Sequence, residues 1–128
     1  MRYLSKKDVL KIHKEIEKIY NIDPTILLPS NLDSAIEAPK TTLYGQELSP
    51  TLFNKASVLM SRILKLHPFT DGNNRTGFIA AILFLERNGR KLKKSNPESE
   101  EKLCRNTSKC DIEVPELSTW FKINSKTM

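Results

Sequence analysis

Residues 76–89 read Thr-Gly-Phe-Ile-Ala-Ala-Ile-Leu-Phe-Leu-Glu-Arg-Asn-Gly. The run is apolar nearly all round until Glu86, the pattern of a central helix buried on every side, and Asn88 with Gly89 closes it as a C-cap. On its N-terminal side, Leu52, Phe53, Ala56, Leu59, Met60, Ile63 and Leu64 mark one apolar face of a second helix reaching Leu66. Ser49 and Pro50 read as the cap and first-turn proline of that helix.

Further out, Ser5 and Asp8 form a variant capping box ahead of Val9, Ile12, Ile16 and Ile19, which predicts a first helix over Lys6–Tyr20. Pro24 and Pro29 interrupt residues 21–31, and residues 32–38 offer a short helix stopped by Pro39. Pro97 behind Asn96 opens a helix through Cys104, and Pro115 opens a last one carrying Leu117, Trp120 and Phe121, which read as core. Between helices, PKTTLYGQELS (Pro39 to Ser49) is rich in β-branched, aromatic and turn-forming residues and reads as an exposed extended segment or short hairpin.

Composition agrees. Four glycines among many Leu, Ile, Lys and Glu residues favour helix over sheet, so the fold class is all-α, and 128 residues suit one domain. No apolar run is long enough to span a bilayer, and the opening MRYLSKKDVL alternates charge with apolar positions, so a cytoplasmic protein is expected. Cys104 and Cys110 sit in a polar stretch without a nearby histidine and read as reduced thiols. The net charge of +6 is scattered; only Arg90 to Lys94 (RKLKK) clusters, and it reads as the solvated tail of a helix. His13, on the apolar face of the first helix, reads as a buried histidine with one hydrogen-bond partner.

The loop between the two central helices carries the chemistry. His67-Pro68-Phe69-Thr70-Asp71-Gly72-Asn73-Asn74-Arg75 gathers a base, a carboxylate, a glycine, amides and a guanidinium. A helix starting near Asn73 aims free N–H groups and a positive dipole end at this loop, and Gly72 lets the backbone approach an anion closely. Arg75 suits bidentate phosphate binding, Asp71 is a hard oxygen ligand suited to magnesium, and His67 can accept a proton from a hydroxyl. On chemistry alone the stretch could also be a turn with a packed Phe69 and an N-cap at Asp71 or Asn73.

HPFTDGNNR resembles the signature of the Fic/Doc (Fido) family, HxFx(D/E)GNxR, at every specified position, and the pattern is nearest to Doc-type death-on-curing toxins. The resemblance is strongest over residues 32–89. It implies a compact helical bundle that binds ATP with Mg2+. Carried over by position, it makes His67 the residue that activates a target hydroxyl and Asp71 the metal ligand. Gly72, Asn73, Asn74 and Arg75 then hold phosphates, and Phe69 anchors the loop in the core. Lys40, Thr41, Thr42, Leu43 and Tyr44 fall where the family places a flap that pairs with an extended segment of its protein target. Lys65 stands just before His67, where the helix dipole already accounts for a cation.

Two positions depart from the family pattern. Asn74 stands where Fic-type enzymes usually have glycine and Doc-type toxins lysine, and Phe78 where Fic-type enzymes place a second phosphate-gripping arginine. The absence of that arginine resembles Doc-like members. The expected function is therefore transfer of a phosphate-containing group, phosphoryl in preference to AMP, from ATP to a Ser, Thr or Tyr hydroxyl of a protein. The alternative is a non-catalytic nucleotide- or peptide-binding module of the same fold. No Glu is followed by Gly or Asn, so the family's inhibitory pattern is missing and an inhibitory antitoxin protein is the expected partner. Neither a membrane nor nucleic acid is expected as a partner.

Overall fold

The computed structural model describes residues 1–128. Six helices follow one another: α1 (Lys6–Tyr20), α2 (Pro29–Glu37), α3 (Leu52–Leu66), α4 (Asn73–Arg87), α5 (Pro97–Ser108) and α6 (Val114–Ile123). A 3-10 turn at Ala38–Lys40 leads into a hairpin of β1 (Thr42–Leu43) and β2 (Gln46–Glu47), while β3 (Arg90–Leu92) pairs antiparallel with β4 (Ser125–Thr127). The chain is thus mostly helical, as expected, with the Pro39 to Ser49 segment forming the short hairpin. No helix is long and apolar enough to cross a membrane.

One hydrophobic core of 22 buried residues draws on all six helices. Its hub is α3, which packs against α2, α4, α5 and α6 and buries nine of its fifteen residues. That corrects the expectation of α4 as the helix buried on every side, because Ile79 is 40% exposed. Arg75, Ile79 and Glu86 lie on one outward stripe of α4, so hydrophobic content alone overstated its burial. The two helices approach closely at Gly77, where a Cβ would collide with Leu64 and come within 3.2 Å of the Met60 carbonyl.

Local signals set most boundaries, and three differ from expectation. The Ser5–Asp8 capping box is formed in full. α2 begins at Pro29 instead of residue 32, since a first-turn proline lacks only an N–H that would go unbonded anyway. The cap of α3 is Thr51, whose hydroxyl accepts the Asn54 N–H at 3.0 Å; Ser49 is buried and does not cap. α5 runs past Cys104 to Ser108 because Leu103, Cys104 and Thr107 continue its buried face. Cys104 is buried, Cys110 is exposed, and both are free thiols.

The RKLKK cluster is not a helix tail. Gly89, at φ +87°, ends the helix, and Arg90 opens a strand whose guanidinium donates to the Ser125 carbonyl (2.8 Å) and the Thr127 hydroxyl (3.0 Å). Elsewhere, Arg87 joins α4 to α1 through two hydrogen bonds to the Asp8 carboxylate, at 2.8 and 3.0 Å. The Arg87 guanidinium, followed by the Ser5 N–H, holds the Asp8 carboxyl well below the usual carboxylate range. Because the folded pKa is depressed, this contribution is complete above the unfolded value of about 4 and drains away as pH falls through the folded one. Asp8→Asn is expected to cost about 1 kcal/mol at neutral pH, both partners being partly in water. In urea titrations its deficit against wild type should stay constant down to about pH 5 and shrink below about pH 4.

Candidate active site

The loop after α3 is fastened from three directions. α3 ends on His67, an exposed residue in the left-handed region (φ 51°, ψ 57°) whose N–H donates to the Ile63 carbonyl. A β-branched residue would resist that conformation; histidine tolerates it at modest cost. Asn31 donates to the Leu66 carbonyl at 2.8 Å and so covers the open end of α3. Residues 25–28 then run antiparallel to the loop: the N–H groups of Leu27 and Leu28 donate to the Pro68 carbonyl, Thr70 N–H donates to Thr25, and Ile26 bridges Phe69.

The second fastening is Phe69. Its side chain is fully buried and stacks on His13 of α1, with ring centroids 3.8 Å apart and 7° between planes. His13 also donates from Nε2 to the Asp71 carbonyl at 2.9 Å, and since a carbonyl only accepts, that nitrogen carries the proton. The buried histidine expected from the sequence therefore braces the loop by ring and by hydrogen bond together.

The third is Asn73. Its Oδ1 accepts the Phe69 N–H at 3.0 Å and its Nδ2 donates to the Phe69 carbonyl at 2.8 Å. Both ends of this buried amide are used. The side chain is thus spent on the loop's backbone, which leaves the main-chain N–H of Asn73 as its remaining donor.

These fastenings leave a polar, exposed set. Gly72 takes φ +79°, and a Cβ there would strike Ile22 and lie 3.5 Å from His13 Nε2. No side chain caps α4, so its first-turn N–H groups stay open to an anion. Asp71 is exposed and accepts the Gly72 N–H on Oδ1 at 2.8 Å, with Oδ2 free. No cluster of three or more metal-ligating side chains exists. A lone carboxylate does fit magnesium arriving with a nucleotide, because that ion takes one or two carboxylates and completes its shell with phosphates and water.

Arg75 is exposed and does not stand alone. Its guanidinium carbon lies 3.9 Å from the centroid of the Tyr20 ring, and Nη1 donates to the Tyr20 hydroxyl at 3.0 Å. Tyr20 was missed in the sequence: it ends α1, and nothing in its spacing announces a partner on α4. Asn74 is exposed, and its carbonyl accepts from the Cys104 thiol at 3.7 Å. Burial first, with Glu100 adding, pushes that thiol up to about 12, which removes it as a nucleophile. Lys65 pairs with Glu113 at 3.0 Å. Phe78 is core, its ring 6.2 Å from Trp120 and 6.5 Å from Phe121.

The hairpin follows the 3-10 turn Ala38–Lys40. Its turn at Tyr44 and Gly45 has φ of 51° and 78°, the two positive values of a tight hairpin connection, and Tyr44 is 95% exposed. Thr41, Thr42 and Leu43 are exposed as well, and the sheet has two strands only. Lys40 belongs to the preceding turn and pairs with Glu37.

The chain matches the Fic/DOC family over residues 3–85, a span containing the motif loop, the hairpin and α1 through most of α4. It is 41% identical over 58 residues to Toxin Doc of Mycolicibacterium smegmatis, an alignment covering 45% of each chain. It is 27% identical over 89 residues to Protein kinase doc of Escherichia phage P1, with 70% of each chain covered. The alignments thus span about half the length of the first relative and over two thirds of the second.

Proposed function

The chain belongs to the Fic/DOC family, and from that premise we propose that it transfers the γ-phosphoryl group of ATP to a Ser, Thr or Tyr hydroxyl of a protein. The observation that carries the reading is the fastened loop. Asn73 and His13 hold its Phe69 and Asp71 backbone, while His67 and the Asp71 carboxylate remain exposed and no side chain caps the start of α4. Phosphoryl transfer asks a protein mainly for positioning and charge stabilisation, which such a braced loop can supply.

In this reading the main-chain N–H groups of Asn73 and Asn74 and the Arg75 guanidinium bind the phosphates, with Gly72 leaving them room. Asp71 would hold Mg2+, which when bound offsets phosphate charge. His67 accepts the proton of the target hydroxyl as its oxygen attacks, a role worth roughly 10²–10⁴-fold. The exposed edges of the hairpin, Thr41 to Tyr44, receive an extended segment of the target by strand addition. Phe78 supports phosphoryl over AMP transfer, since that position belongs to the aromatic core and offers no second cation. So does one relative's name, Protein kinase doc. The other, Toxin Doc, supports a toxin restrained by a separate antitoxin protein.

The test is to incubate the purified chain with lysate and magnesium-ATP labelled on the α- or the γ-phosphate, beside His67→Ala. His67-dependent label from γ alone is the expected result. Label from α would establish AMP transfer instead, and no His67-dependent label from either would make the chain a binding module.

A further inference from the structure

Lys55 is the only lysine among the buried residues, 2% exposed in the middle of a helical protein. An ammonium there is costly unless its protons find acceptors. It has two, one in the buried 3-10 turn that leads into the hairpin and one on the exposed end of the hairpin itself. Lys55 Nζ donates to the Pro39 carbonyl at 3.1 Å and to Glu47 Oε1 at 2.9 Å. Pro39 lies just ahead of β1, and Glu47 ends β2. The Tyr3 ring lies 5.8 Å from the same Nζ and carries Lys40 Nζ at 5.4 Å.

Strands two residues long have little stability of their own, and every residue of these two is exposed. The hairpin nevertheless keeps a defined register, Thr42 opposite Glu47 and Leu43 opposite Gln46. We propose that Lys55 is a positioning residue, a staple from α3 that ties both ends of the hairpin and sets the register in which it receives a target strand. The ammonium is satisfied only when the two ends are in place together, so it selects one placement of the hairpin. α3 also ends on His67, 12 residues further along and so about 18 Å away at the helical rise. One rigid helix thereby references the target-holding edge to the proposed base. The target-related part of this inference rests on the flap reading above; the staple itself does not.

The test uses Lys55→Met, which keeps the unbranched stem and removes the ammonium, and Glu47→Gln, whose exposed site does not endanger folding. Amide hydrogen exchange over residues 42–48 is read beside that of Val58 to Leu64 in α3. Leu48, whose N–H donates to the Thr41 carbonyl at 3.1 Å, is the most direct reporter. In Lys55→Met, exchange at 42–48 is expected to quicken about tenfold while α3 stays protected; in Glu47→Gln the gain is about threefold. Magnesium-ATP titration should be unchanged. The lysate concentration giving half-maximal His67-dependent labelling should rise about fivefold, with the plateau rate held. Unchanged exchange in both variants overturns the staple, as does equal loss of protection in α3. Faster hairpin exchange with an unshifted half-maximum overturns the positioning of the target. If no His67-dependent label forms in wild type, the proposed transfer fails, and the exchange result alone still decides the staple.

Discussion

Asn73→Ala is expected to lower the proposed phosphoryl transfer at least about a hundredfold while leaving a folded chain, because a displacement near 1 Å at a reacting group costs that much. The wild-type amide closes a two-bond clasp on the Phe69 backbone, N–H to Oδ1 and Nδ2 to carbonyl. Alanine would leave a buried N–H and a buried carbonyl without partners, a penalty of about 1–3 kcal/mol each. The loop has a cheaper escape than global unfolding: it can shift until water reaches Phe69. His67 stands two residues before that point and Asp71 two after it, so both would lose their placement. The main-chain N–H of Asn73 survives the substitution, so nucleotide affinity should fall far less than the single-turnover rate. Asn73→Asp should not rescue, because a carboxylate can accept from the Phe69 N–H but cannot donate to its carbonyl. Transfer within threefold of wild type in Asn73→Ala would show that the clasp does not hold the loop.

This clasp also marks where the sequence stopped being informative. The motif names Asn73, but whether its amide meets a phosphate or the chain's own backbone depends on how tightly residues 69 and 73 close, which no spacing states. Helix boundaries were legible where the deciding contact is local. The Ser5–Asp8 box spans four residues and fixed the start of α1. Across Ser49, Pro50 and Thr51, two residues compete for one cap, and the burial of Ser49 settles it through contacts distant in sequence. Strand β3 was illegible for the same reason: its partner lies 35 residues away, and the side chain that recruits it, Arg90, reads in isolation as one more solvated cation. Tyr20 and Lys55 are of this kind too. Each looks ordinary on its own helix, and each owes its meaning to one partner brought close by packing, Arg75 in one case and the hairpin ends in the other.

Phe69→Ala should lose about 3–5 kcal/mol of stability, as befits a fully buried ring. For a chain of this size that corresponds to a melting temperature roughly 10–20 °C lower. The cost includes the stack on His13, whose ring would then face a cavity. Destabilisation by itself would not show that the ring positions the site, so the comparison that decides is Phe121→Ala. Phe121 is also fully buried, but it sits on α6 against Phe78 and Trp120. The two variants should lose similar stability, and at a temperature where both remain folded they should part company in transfer. Phe121→Ala is expected to work within a few-fold of wild type, whereas Phe69→Ala should fall about a hundredfold, since Phe69, unlike Phe121, helps tie the loop carrying His67 and Asp71 to α1. Equal activity in the two would reduce Phe69 to a core residue that happens to lie beside the motif. A selective loss would show that the hydrophobic position of the motif acts on catalysis through the placement of its neighbours.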